Sequence, residues 1–307
     1  MLDPQAKDFL HLLGEREPTS ALTPEENRAK GVALQKLAGP AEPVAKVEEY
    51  WIPVENGEIK VRVYTPEGEG IFPVFIYLHG GGWVLGDLET VDVPCRSLAN
   101  QAECIVVSVD YRRAPEYKFP TPLEDCYEAA TWVADYAREW KGDPTRIAIG
   151  GDSAGGNLAA SVTMKARDQG GPTFVSKILI YPVTSLSFDT PSYKANGEGY
   201  FLTHDSMAWF ARQYLDKEED MFNAYAAPLL AKDLSGLPPA LVITAEYDPL
   251  HDEGLAYANR LREAGVSVEY TCYEGMIHGF FWMAGIMDKG KRAIEQVAHH
   301  LHSSFHE

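Results

Sequence analysis

Five short apolar segments punctuate this chain: 73–78 (PVFIYL), 104–109 (CIVVSV), 146–149 (RIAI), 177–181 (KILIY) and 240–244 (ALVIT). Near-continuous runs of this length are what strands need when both faces of their sheet are covered. Helical patterns alternate with them. The first, 122–140, places Leu123, Tyr127, Ala130, Val133 and Ala134 at helical spacing; 153–168, 253–264 and 288–303 follow, with a further strand at 266–272. Alternating strands and helices predict a mostly parallel sheet with helices on both faces. Before this core, Ile59, Val61 and Val63 alternate with Lys60, Arg62 and Tyr64 as a half-buried strand. Earlier still, Thr23-Pro24-Glu25-Glu26 reads as a helix start, with Thr at the N-cap and Pro at the first helical position. That helix should run through Val32, Leu34 and Leu37 to the stop at Gly39-Pro40. The expected organisation is an N-terminal helical region over 1–45 and a main domain over 46–307. An insertion at about 185–230 should carry one amphipathic helix, 204–215.

Charge narrows the choice of partners. The 307 residues include 27 Lys and Arg against 45 Asp and Glu, a net charge of −18. Nucleic acid is excluded as a partner because its affinity rests on basic side chains neutralising phosphates, and an anionic membrane surface is disfavoured for the same reason. Cys95, Cys104, Cys126 and Cys272 form no CxxC pair and read as reduced, mostly buried thiols. The opening MLDPQAKDFLHLLGEREP has no small-residue cleavage site. The longest apolar run, 71–78, falls far below the ~20 residues that span a bilayer. A cytoplasmic enzyme acting on a neutral or apolar small molecule is the expectation.

Four segments carry chemistry. Gly151-Asp152-Ser153-Ala154-Gly155 fits G-x-S-x-G and lies between a predicted strand and a predicted helix. There a serine hydroxyl is presented on a sharp turn at the positive end of the helix; a Gly-rich packing turn is the plainer alternative. His79-Gly80-Gly81-Gly82-Trp83 follows the strand at 73–78. A phosphate cradle is disfavoured there, since no G-K-[ST] and no G-x-G-x-x-G is present. HGGG is instead a type that supplies N–H donors to an oxyanion hole, which assigns Gly81 and Gly82 together with Ala154. His79 then braces the loop rather than moving protons. A serine needs a base. Of the eight histidines other than His79, His278 in EGMIHGF alone combines a Gly-flanked loop with a position just after a strand. The orienting carboxylate is Asp248 in EYDPL, after the strand at 240–244. Its neighbours Asp252 and Glu253 read as helix-start acids. The order Ser, Asp, His matches one known arrangement of such triads, and all four segments sit at the C-terminal ends of predicted strands, where open α/β sheets bind ligands.

With these residues in place, the sequence resembles the hormone-sensitive-lipase-like esterases, the microbial family IV carboxylesterases. The matching stretches are HGGGW (79–83), DYRRAPEYKFP (110–120), GDSAGGNLA (151–159), EYDPLHDEG (246–254) and IHGF (277–280). Arg113 is a mild departure, standing where members often carry Leu. The resemblance implies an eight-stranded α/β-hydrolase core under a helical cap made from residues 1–45 and the insertion. It further implies cofactor-free, metal-free hydrolysis of short- to medium-chain acyl esters through an acyl-enzyme on Ser153, and it allows a homodimer. Trp83, Phe201, Met207 and Phe210 are candidates for the pocket wall, although such residues at helical spacing are more often plain packing. Two alternatives stay open: a non-catalytic receptor for a small ligand on the same fold, and an amide or peptide hydrolase with the same triad.

Overall fold

The computed structural model describes residues 1–14 and 17–306; residues 15 and 16 of the N-terminal region and residue 307 of the main domain lie outside them. The strands are β1 Lys46–Val54, β2 Gly57–Thr65, β3 Phe72–Leu78, β4 Ile105–Asp110, β5 Gly142–Asp152, β6 Ser176–Ile180, β7 Ala240–Tyr247 and β8 Val268–Ile277. The helices are α1 Pro4–Leu13, α2 Pro24–Val32, α3 Asp92–Gln101, α4 Thr121–Tyr136, α5 Ala154–Gln169, α6 Pro191–Asn196, α7 His204–Tyr214, α8 His251–Glu263 and α9 Asp288–His306.

The strands form one eight-stranded sheet in the order β1-β2-β4-β3-β5-β6-β7-β8. β2 pairs antiparallel with β1 and β4, and the strands from β4 to β8 pair in parallel. All residues of β3 and β6 are buried, as their unbroken apolar runs require. Two hydrophobic clusters lie on the two faces of the sheet. One unites it with α4, α5 and α8, the other with α3 and α9. Cys95, Cys104 and Cys126 are buried free thiols and Cys272 is half-buried. Among the described residues no helix is long and apolar enough to cross a membrane.

Several elements differ from the sequence expectation. The helix begun at Thr23 has the expected capping box with Glu26, but its α-helical part ends at Val32 and a separate 3₁₀ turn covers Gln35–Ala38. The strand around residues 59–64 is one arm of a hairpin. A two-residue loop, Glu55-Asn56 with Asn56 at φ 58°, connects it to β1, and Gly57 opens β2 paired with Val54. Pro94 hides α3, yet it stands in the first turn, where a proline costs no intrahelical bond. The stretch after β6 carries two helices, α6 and α7, rather than one. The N-terminal segment lies against the second of them: Thr19 Oγ1 is 3.0 Å from Ser206 Oγ, and Ser20 Oγ donates to Asp205 at 2.6 Å.

Candidate active site

Ser153 occupies the β5-to-α5 turn with φ 57° and ψ −119°. A non-glycine residue held there costs about 1–3 kcal/mol, so the surroundings must over-determine it. They do so through three backbone bonds. Ser153 N–H donates to Ile180 O at 2.8 Å, while its carbonyl accepts from Asn157 N at 3.0 Å and Val183 N at 3.3 Å. The turn also presses on the end of β3. A Cβ on Gly151 or Gly155 would overlap the Leu78 carbonyl oxygen, which is why the pentapeptide carries glycine on both sides.

β8 runs to Ile277 and delivers His278 at its end; β7 runs to Tyr247 and delivers Asp248. His278 Nε2 is 2.9 Å from Ser153 Oγ, and His278 Nδ1 is 2.7 Å from Asp248 Oδ2. All three residues are buried. The carboxylate fixes the tautomer: Nδ1–H donates to Asp248, leaving the Nε2 lone pair for the serine proton. Asp248 Oδ1 accepts from Leu250 N–H at 2.9 Å, so the turn through Pro249 holds the carboxylate from behind. The Tyr181 ring lies over the imidazole with centroids 4.5 Å apart. Glu253 stands in the first turn of α8 as expected, but it is buried and its Oε1 accepts from Thr184 N and Ser185 N. Burial pushes its carboxyl up to about 8, against the pull of those two N–H groups. At neutral pH it is largely uncharged.

The His79–Gly82 loop comes up beside Ser153. Gly81, at φ 116°, accepts at its carbonyl from Val84 N and Leu85 N and closes a tight turn. The N–H groups of Gly81 and Gly82 meet no acceptor among the described residues. Both glycines line the same cavity as Ser153 and His278. Ala154 is the first residue of α5, where an N–H lacks an intrahelical partner. Preorganised donors of this kind, aimed beside a nucleophile, suit a developing oxyanion. His79 Nδ1 is 2.8 Å from Gly80 O, and its ring stacks on Tyr111 with centroids 4.3 Å apart. Burial lowers its pKa and keeps it neutral, in keeping with a bracing part.

Asp152 was not singled out by the sequence. Buried between the two loops, its Oδ1 accepts from Gly80 N–H at 3.0 Å and Tyr77 OH at 2.9 Å, tying the nucleophile turn to the glycine loop. Burial raises its pKa, and the two donors oppose that. The signal was its place inside G-x-S-x-G, next to the serine. Asn157 is a second such residue. One turn into α5, it donates to Val183 O and Ala226 O, both at 2.9 Å.

The cavity over Ser153 has a volume of about 190 Å³. Phe201, Met207 and Phe210 line it, and the Phe210 ring packs so closely on Gly82 that a Cβ there would overlap it. Trp83 does not line it, which corrects the sequence expectation. It is fully buried, stacked on Tyr214 at 4.1 Å, with its indole N–H 3.3 Å from Asn157 Oδ1. With φ 62° its backbone turns the large ring away from the cavity and into the core. Arg28, Gln35, Asp87 and Arg113 complete a polar end that the sequence did not reveal. Of the C-terminal histidines, His300 is bonded to Ser176 and Glu269 rather than merely solvated. No group of three or more His, Cys, Asp or Glu that could hold a metal occurs among the described residues.

Comparison with known proteins agrees with this geometry. A family described as alpha/beta hydrolase fold matches residues 75–282. A carboxylic ester hydrolase of Mycobacterium tuberculosis is 46% identical over 75% of this chain, which spans 62% of that protein's length. An arylesterase of Saccharolobus solfataricus is 39% identical over 91% of this chain and 92% of its own. Among solved structures, an ester hydrolase from the metagenome of Lake Arreo superposes with a TM-score of 0.96 at 41% identity, covering 100% of both chains.

Proposed function

This chain belongs to the hormone-sensitive-lipase-like, family IV carboxylesterases of the α/β-hydrolase fold and is a carboxylic ester hydrolase, and from that premise we propose that Ser153, His278 and Asp248 perform the reaction. Ser153 Oγ attacks the ester carbonyl carbon while His278 Nε2 takes its proton. Asp248 holds the imidazole and stabilises the imidazolium. The carbonyl oxygen becomes an oxyanion and accepts from Gly81, Gly82 and Ala154 N–H, each such donor being worth ~3–4 kcal/mol. The tetrahedral intermediate collapses, the C–O bond to the alcohol breaks, and His278 returns its proton to the leaving oxygen. Water then attacks the acyl-enzyme by the same route, releasing the carboxylic acid and restoring the serine.

The observation that carries this reading is the chain of contacts from Ser153 Oγ through the imidazole to Asp248, at 2.9 and 2.7 Å, beside two unpartnered glycine N–H groups. A non-catalytic receptor would not need that chain complete. Residues 1–45 and about 185–230 act together as a cap in this reading, supported by the Thr19–Ser206 and Ser20–Asp205 bonds and by Phe201, Met207 and Phe210 in the cavity wall. A cavity of about 190 Å³ with this apolar wall favours short- to medium-chain acyl groups. The homodimer that the family resemblance allows is part of the reading, with sedimentation velocity as its check. Ser153→Ala tests the whole. Hydrolysis of p-nitrophenyl butyrate should vanish while the protein stays folded, and persistent turnover would end the assignment.

A further inference from the structure

The polar end of the cavity holds two arginines that the fold treats differently. Arg28 is used up: Nε donates to Val84 O, Nη2 to Ala114 O, and Nη1 and Nη2 together grip the Glu116 carboxylate at 2.7 Å. Arg113 donates through Nη1 to Gly86 O and makes no other hydrogen bond among the described residues. No carboxylate stands within 4.0 Å of it among the described residues. Two of the nearby acids have other partners. Glu116 is taken by Arg28, and Asp87 Oδ1 accepts from Gln35 Nε2, Thr90 N and Thr90 Oγ1. Half-buried in the wall that also holds Ser153, Arg113 therefore keeps most of a planar, permanently charged fork without a protein acceptor.

A guanidinium left open toward a substrate cavity matches a carboxylate, which it binds through two parallel N–H bonds. Partial exclusion of water strengthens that pair relative to bulk solvent. The chain's net charge of −18 opposes anions at long range. Beyond ~8–10 Å, however, salt screens that field at physiological ionic strength, so a carboxylate inside the cavity responds mainly to the groups that line it. Among the described residues Arg113 is the cation there without a carboxylate partner, while the acids Asp87 and Asp152 are bonded to neighbouring donors. We propose that Arg113 anchors a carboxylate carried by the substrate, so that this esterase takes esters with one free carboxylate on an arm: half-esters on the acyl side, or carboxylate-bearing alcohols. This rests on the esterase reading above and specifies its substrate class.

Five esters test it: neutral p-nitrophenyl butyrate, mono-p-nitrophenyl adipate with the carboxylate on the acyl arm, 4-carboxyphenyl butyrate with it on the alcohol arm, and the methyl esters of these two anions. Wild-type enzyme should show a higher kcat/KM for one of the two anions than for its own methyl ester. In Arg113→Gln, the ratio of kcat/KM for that anion to kcat/KM for p-nitrophenyl butyrate should fall about 10–100-fold, chiefly through KM. Arg113→Lys should recover part of the ratio. Which anion responds identifies the arm. An unchanged ratio, with both substrates falling together, would mean that Arg113 only braces the Gly86 carbonyl and would overturn the proposal; so would wild-type preference for both methyl esters. Failure of the esterase reading is separate: wild type would then leave p-nitrophenyl butyrate intact.

Discussion

The two ends of the parallel strands bury charge in opposite ways. At the C-terminal end, Asp152 and Asp248 are almost fully enclosed, yet each accepts bonds from groups that the adjoining loops aim at it. At the N-terminal end, Lys177 on β6 is equally enclosed and its Nζ has no hydrogen-bond partner among the described residues; it lies over the Tyr257 ring, 5.8 Å from the centroid. Burial pushes its ammonium down to about 7, helped by the positive charge of Arg167. One end uses buried charge as a connected relay. The other tolerates a buried base by letting it lose its proton, at a cost to stability and with no chemistry attached.

If that contrast is right, substitutions at the two ends should fail in different assays. The largest effect belongs to Ser153→Ala, which should lower kcat by about 10⁴-fold or more while leaving the melting temperature nearly unchanged. Lys177→Met comes next and should act on stability alone. Between about pH 7 and the ordinary lysine value of ~10.5, the unfolded chain holds a proton that the folded chain lacks, so stability rises with pH across that window. The Met variant should flatten this slope and gain about 2 kcal/mol or more at pH 7, read from urea unfolding at pH 7 and 9 with turnover unaltered. A wild-type slope of zero would place Lys177 in contact with solvent. Asp152→Ala should lower kcat about 10–100-fold, because Gly80 loses the acceptor that sets the glycine loop, with a smaller change in KM. The mildest is Phe210→Ala. By uncovering Gly82 and enlarging the cavity, it should shift the optimum toward longer acyl chains, improving the longer p-nitrophenyl esters about 3–10-fold relative to acetate.

The same contrast explains what could be read from the chain. Ser153 and Asp248 were legible because each sits in a short loop after an apolar run, and His278 because it follows a strand in a Gly-flanked loop. The strand alternation was legible for a related reason: β3 and β6 are buried on both faces, so their composition is unmistakable. Lys177 was not, since a lysine at the mouth of a strand reads as a solvated end; its burial depends on α5 and α8 closing over it. Trp83 was a candidate for the cavity wall with plain packing as its alternative, and its positive φ sends the ring to Tyr214. The polar end of the cavity was invisible for a longer-range reason. Arg28 and Arg113 meet only when the N-terminal segment folds back over the strand ends, a juxtaposition no local pattern encodes.

Trapping the intermediate addresses the hydroxyl of Ser153 most directly. A rapid acid quench of the enzyme during turnover of p-nitrophenyl acetate, followed by peptide mass spectrometry, should find an acetyl group on the peptide containing Ser153, and His278→Ala should form it far more slowly. An acetyl group on another residue, or turnover that continues with Ser153 never modified, would contradict the account.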